Sequence, residues 1–377
     1  MRIGIDASNI RAGGGVTHLV ELLRAAKPQE HVFEKVLVWS GAATLGRLEE
    51  RPWLRKVHEP LLDRSLLYRL YWQRFILGRT ARRESCDVLF VPGGSYSGPF
   101  QPFVSMSQNL LPFEWSEARR YGVSWQLLRN ILLGFSQSKS FRVANGVIFL
   151  TEYARDVIMK IVKAIDGRTT IIPHGINDRF LLSPRPQKAL SDTSNEQPFR
   201  ILYVSIIDVY KHQWYVAEAM AQLKKEGLPI QLDLVGPAHP PASKRLNKML
   251  RRFDPQGKCI HYHGPVPYEE LFNWYHQADL FVFASSCENM PNILLEAMAA
   301  GLPIACSNRG PMPEVLGNAG VYFDPEKPAE IAEAIRKLIE DPILRTEKTE
   351  AAFERAKEFT WERCAEETFS FLAECSR

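Results

Sequence analysis

Short runs of uninterrupted apolar residues recur along the chain, and the stretches between them carry apolar positions at three- and four-residue spacing. Runs too short for a helix and apolar throughout predict strands buried on both faces, and the helix-period stretches predict the crossovers that connect parallel strands. One series of strands is expected at residues 3–6, 35–39, 87–92, 103–107, 146–151 and 169–173. A second is expected at 200–205, 230–235, 259–263, 280–284, 303–306 and 321–323, with helices near 212–226, 243–252, 267–277, 328–340 and 343–358. Between the two lies a polar, proline-bearing stretch, Ser183 to Pro198, with Ser-Asp-Thr-Ser-Asn at 191–195. It reads as a linker. The pattern predicts an α/β protein with two parallel-sheet domains, residues 1–183 and 199–357.

Length and composition agree with that division. The 377 residues are 45% hydrophobic and 24% charged, enough for two ordinary cores. The formal net charge of +4 is too small to argue for a nucleic-acid partner and leaves room for a local basic patch. The six cysteines form no C-x-x-C pair, and the chain opens on Arg2-Ile-Gly-Ile-Asp6 without an apolar leader. Nor is any apolar run long enough to span a bilayer. A cytoplasmic protein with reduced thiols is the expectation.

Candidate chemistry concentrates where strands hand over to helices. The strand at 280–284 delivers a loop, Ser285 to Pro291, to a helix starting near Asn292 and closed by Gly301 and Pro303. Free N–H groups at such a helix start attract anions, and Pro291 suits the first turn because it has no N–H to leave unpaired. Glu288 in the loop and Glu296 in the helix are better matched to hydroxyls than to phosphate. The ligand so implied carries both, as a sugar nucleotide does. A second strand–loop–helix turn bears Gly13, Gly14 and Gly15 ahead of a helix at 16–26. It is either a phosphate-binding loop or a plain tight turn, and it lacks the G-x-G-x-x-G spacing of dinucleotide sites. Residues 64–83 hold six arginines among Tyr68, Tyr71, Trp72 and Phe75 and no acid. Such a stretch fits an anionic membrane surface or a phosphorylated lipid acceptor, and the plainer alternative is a solvated helix whose aromatics are core. His239, His261, His263 and His276 show no metal-ligand spacing.

With Glu288 and Glu296 at E-x7-E spacing, and Pro291, Ala297, Gly301 and Pro303 around them, the 279–306 stretch resembles the donor-site signature of the retaining glycosyltransferases of family 4. That resemblance implies the GT-B fold: two Rossmann-like domains facing across a cleft, the nucleotide held mainly by the second. A last helix, within 358–377, crosses back to the N-terminal domain. It implies transfer of a sugar from a nucleoside diphosphate sugar to a hydroxyl of a saccharide or lipid-linked acceptor, in surface polysaccharide assembly, without a metal or other cofactor. The implied donor ligands are Gly13, Gly14, Gly15, Lys211, Asn289, Met290, Pro291, Asn292 and Glu296, with Glu288 and Lys211 catalytic. Lys211 falls on one member of the family's Arg and Lys pair for the diphosphate, and Ile206 stands where the arginine is expected. Gln108, followed by Asn109, occupies the acceptor-side segment where members often carry histidine. A nucleotide-sugar epimerase shares this architecture and is the alternative, followed by a non-catalytic assembly protein.

Overall fold

The computed structural model describes residues Met1–Ser376. The chain divides into two compact units, one of Met1–Gly175 together with the segment from Phe359 onward, the other of Ile176–Glu358.

In the first unit β1 (Arg2–Asp6), β2 (Lys35–Ser40), β3 (Leu54–His58), β4 (Val88–Val91), β5 (Phe103–Met106), β6 (Gly146–Phe149) and β7 (Arg168–Ile171) form a parallel sheet ordered β3-β2-β1-β4-β5-β6-β7. In the second, β8 (Phe199–Val204), β9 (Ile230–Val235), β10 (Ile260–Tyr262), β11 (Leu280–Phe283), β12 (Ile304–Ser307) and β13 (Val321–Phe323) are ordered β10-β9-β8-β11-β12-β13, again all parallel. Both are doubly wound Rossmann-like sheets. In each the strand order reverses once, between β1 and β4 and between β8 and β11, and the crevice beyond the carboxyl ends of those strands is where such sheets take ligands.

The central strands are covered on both faces, as their composition requires. Every residue of β4, β6, β11 and β12 is buried. The strand missing from the sequence reading is β3, Leu-Arg-Lys-Val-His. It lies at the sheet edge, where one side needs no partner and charged residues are tolerated, so its pattern is neither a buried run nor a clean alternation.

Gly301 ends the helix Asn292–Ala299 as the sequence suggests, with φ +61; a side chain there would meet the Leu182 carbonyl at 2.9 Å. Pro291, by contrast, is the residue before the helix rather than part of its first turn. The expected linker is fastened to the second unit: Arg185 donates to the carbonyls of His276 and Ala278, and the fully buried Arg345 donates to the Lys188 carbonyl.

The final helix, Trp361–Cys375, is capped by the Thr360 hydroxyl and belongs to the first unit, where it packs along the helix Gly14–Ala25. Trp361 lies beside the stacked rings of His18 and His174, whose centroids are 4.6 Å apart. Among the described residues no helix is long and apolar enough to cross a membrane.

Candidate functional site

At the switch point of the second sheet, the loops leaving β8 and β11 are tied to each other. The Ser286 N–H donates to the Tyr210 carbonyl at 2.9 Å, and His212 Nε2 lies 2.8 Å from Ser286 Oγ. His212 takes a left-handed backbone, φ 53, at the start of the helix Gln213–Lys225, and this sharp turn keeps the preceding Lys211 over the sheet edge. The Tyr203 hydroxyl donates to the Lys211 carbonyl at 2.6 Å and fixes it from below.

Held this way, the Lys211 ammonium is buried, lies 5.3 Å from the Phe283 ring centre and 5.2 Å from that of Tyr210, and forms an ion pair with Glu288. A desolvated lysine between two aromatic faces is a compact positive charge in a medium of low dielectric. Its attraction for an incoming anion is stronger there than in water. In this structure Glu288 is the anion that answers it.

Glu296 sits on the next helix and is 4% exposed. The Tyr275 hydroxyl donates to its Oε2 at 2.8 Å, and the Tyr268 hydroxyl also hydrogen-bonds the carboxyl. Burial pushes the Glu296 carboxyl up to about 7, against the opposing pull of the two tyrosines and the Arg179 charge. Arg179 lies over the Tyr268 ring, 4.1 Å from its centre. Two tyrosine bonds use part of a carboxylate's capacity of roughly four, leaving acceptor positions for further hydroxyls. Asn289, Met290 and Pro291 are buried in the loop between the two glutamates, and Asn292 is half-buried at the helix start.

The first unit brings together two more of the expected residues. Gly13 precedes the helix Gly14–Ala25 with φ +66, and a side chain there would meet nothing within 4 Å. Gly14 begins the helix and Gly15 follows within it, so the helix starts earlier than its apolar pattern suggests. A Cβ on Gly15 would stand 3.0 Å from Gln108 Oε1, placing the glycine turn against the segment after β5. Asn109 is turned to its own backbone, its Oδ1 accepting from Leu111 N–H at 3.2 Å. Ile206 is 37% exposed at the exit of β8.

The sequence reading missed Tyr268, Tyr275, Arg179, Ser286 and His212. Tyr275 reads as the core residue of an amphipathic helix, and nothing in its spacing signals that its hydroxyl reaches a glutamate. His263 pairs with the buried Asp233 at 2.8 Å, and Asp233 with Arg200. Among the described residues no group of three or more His, Cys, Asp or Glu side chains is arranged to hold a metal.

Both units align with solved structures of GT-B glycosyltransferases. Sucrose-phosphate synthase from Thermosynechococcus elongatus superimposes with a TM-score of 0.77 at 19% identity, over 98% of this chain and 97% of that one. HepE from Anabaena, in complex with UDP and glucose, gives 0.72 at 17% identity over 99% and 100%. In sequence, O-antigen chain mannosyltransferase B of Escherichia coli is 38% identical over 111 residues, 29% of each chain. The chain spans less than two thirds of the length of the first curated relatives it matches. Lys211, Glu288 and Glu296 all fall within residues 185–357, the part of the chain that matches the family model described as glycosyl transferases group 1.

Proposed function

We propose that the chain is a retaining glycosyltransferase of family 4. It moves a sugar from a nucleoside diphosphate sugar to a hydroxyl of a saccharide or lipid-linked saccharide, in surface polysaccharide assembly. The observation that carries this reading is the buried Lys211 ammonium facing Glu288 at the switch point of the second sheet. The UDP bound by the structural neighbour HepE supports the choice of a nucleotide donor.

In this reading the donor diphosphate displaces Glu288 from Lys211. The ammonium then stabilises negative charge on the leaving phosphate as the bond to the anomeric carbon breaks. The released Glu288 carboxylate meets the transferred sugar, where positive charge develops. The acceptor hydroxyl attacks from the face the diphosphate leaves, and its proton passes to the departing phosphate oxygen. Glu296 takes the ribose hydroxyls, aligned by Tyr268 and Tyr275. Lys211 supplies charge that other transferases obtain from a metal, so metal-independent turnover is part of the proposal. Work at the cytoplasmic membrane face, as a peripheral protein, is the location this reading expects, and the arginine-rich stretch 64–83 supports it.

The test is incubation of the full chain with a panel of nucleoside diphosphate sugars, with and without lipid-linked saccharides, in the presence of a chelator. The expected result is acceptor-dependent release of nucleoside diphosphate and a product whose anomeric configuration, read by NMR, matches the donor. A new sugar nucleotide formed without acceptor would replace this reading with the epimerase.

A further inference from the structure

The switch point of the first sheet, between β1 and β4, holds a cluster that the reading above does not use. The two exit loops touch: a Cβ on Gly93 would stand 3.7 Å from that of Asn9. Over them, Arg69 of the helix Leu66–Phe75 donates to Asn9 Oδ1 at 3.0 Å and reaches the Ser8 carbonyl at 3.5 Å, while its Nε is buried with no partner. Arg11, from the β1 loop, reaches the Arg64 carbonyl at 3.4 Å. Burial first, and then the neighbouring charges of Arg11 and Arg129, hold the Arg69 guanidinium below its ordinary pKa. Arg129 comes from the helix Trp125–Val143.

Arg69 and Arg11 are thus anchored on the β1 exit loop and just ahead of the helix Leu66–Phe75, and the charge of Arg129, on a third element, acts on Arg69. Among the described residues none of them has a carboxylate within ion-pair distance; Asp63, whose carboxyl is lowered chiefly by its bond to His58 and least by the Arg11 charge, is paired with His58. The floor of the crevice is polar and under-satisfied: Ser8 Oγ, Ser95 Oγ and Gln137 Oε1 are buried without partners. Mutually repelling cations beside unpaired buried polar atoms cost stability unless something compensates. The arrangement suits a phosphoryl group, which takes forked N–H donors from arginine and accepts from hydroxyls and amides on its remaining oxygens.

The surroundings favour a lipid source for that group. The helix Trp125–Val143 is inverted: Asn130, Gly134, Gln137, Ser138 and Ser140 face inward with Phe141, while Trp125, Leu128, Leu132 and Phe135 are exposed, Phe135 by 73%. The helix Leu66–Phe75 exposes Leu67, Leu70, Tyr71 and Phe75. Neither helix contains an acidic residue, so both exposed faces are apolar and cationic, the combination that binds anionic lipid surfaces.

We propose that Arg11, Arg69 and Arg129 form a binding site for the phosphoryl group of a phosphorylated acceptor, set at the switch point of the first sheet and flanked by two membrane-facing helices. The acceptor role rests on the glycosyltransferase reading; the binding of phosphate does not.

The test uses the full chain, Arg129→Gln, Arg69→Gln and Leu132→Asp/Phe135→Asp. Each is titrated with phenyl phosphate, and floated with phosphatidylcholine vesicles with or without phosphatidylglycerol. Arg129 is exposed and makes no hydrogen bond that the fold needs, so its variant remains folded. Stabilisation by UDP checks the second unit independently. The expected result is saturable binding weakened at least about tenfold by either arginine change, as loss of a charge-assisted contact predicts, with UDP stabilisation intact. Binding of phenyl phosphate alone supports the site with a free phosphorylated ligand. Arginine-dependent binding of anionic vesicles alone supports it with a lipid headgroup. Vesicle binding that the apolar changes abolish and the arginine changes leave untouched overturns it, as does binding of neither probe. Failure of UDP to stabilise the parent chain would count against the donor site and leave the phosphate result standing.

Discussion

Lys211 and Glu288 are 77 positions apart in the chain and form an ion pair at the carboxyl edge of one sheet, with the lysine side chain 5% and the glutamate side chain 15% exposed. The pair exists because β8 and β11 are neighbours and their exit loops are stitched through Ser286 and Tyr210. An ion pair this sheltered depends on both partners, since removing one leaves the other desolvated and uncompensated.

In the proposed reaction Lys211→Ala removes the charge set to meet the leaving diphosphate, and it is expected to lower kcat/KM for the donor roughly a hundredfold or more. It should also lower stability by about 3 kcal/mol, the low end for a broken buried pair, since Glu288 retains some contact with water. Adding Glu288→Gln should recover most of that stability and none of the activity. Denaturant melts of the two single variants and the double variant check this; a double variant whose loss equals the sum of the two single losses would mean that the pair is not coupled.

Glu288→Gln alone should lower kcat while the nucleoside diphosphate still binds, since the contact proposed for Glu288 strengthens only as charge develops on the sugar. Glu296→Gln should instead raise the donor KM and weaken nucleoside diphosphate binding. Calorimetry beside steady-state kinetics separates the two. Loss of nucleotide binding in Glu288→Gln with retention in Glu296→Gln reverses the assignment.

Burial raises the Glu296 carboxyl from 4.5 to about 7 in the folded chain. The folded state then holds a proton between those values that the unfolded state releases. Its stabilising effect is fully present below about pH 4.5 and is lost as pH rises through about 7. The difference amounts to about 3 kcal/mol. Glu296→Gln, which cannot titrate, should therefore lose less stability than the parent between pH 5 and pH 8, measured on the ligand-free protein by thermal melts. Parallel pH profiles for the two would show that the carboxyl is not held protonated.

Ile206 is 37% exposed where the resemblance expects an arginine, so a longer side chain can extend without displacing the core. Ile206→Arg should tighten nucleoside diphosphate binding by about tenfold through a second charge-assisted contact. Calorimetry with UDP and GDP is the measurement, and unchanged affinity would mean that the diphosphate is held on another side of the loop.

Tyr275→Phe removes one hydroxyl from a buried carboxyl and leaves the Tyr268 contact in place. Nucleotide binding should weaken, and the pH at which stability falls should move upward, because the deprotonated carboxyl loses a donor. A melt series across pH shows whether the shift occurs.

The local pattern carried the two sheets. Uninterrupted apolar runs such as Leu280–Phe283 are stable only when buried on both faces, so their alternation with helices implies parallel sheets wherever they occur. The loop with Glu288 and Glu296 was legible for the same reason: its residues are contiguous, and a strand–loop–helix turn is a local event. Lys211 was legible only through its resemblance to a known pattern, because nothing in its own neighbourhood says which strand will lie beside β8.

Tertiary structure alone decided the partners. Tyr275 and Tyr268 reach Glu296 across intervening chain, and a hydroxyl's direction depends on packing that no spacing encodes. It also decided which face of the helix Trp125–Val143 is outside. A periodic pattern tells that a helix has two unlike faces, and the usual rule buries the apolar one. Here Gln137 and Ser140 are drawn inward by the polar crevice after β4, where Ser140 accepts from the Tyr96 N–H at 3.1 Å, and the apolar stripe is left outside. Sequence determines that faces exist; the neighbours available to satisfy each one determine which is buried.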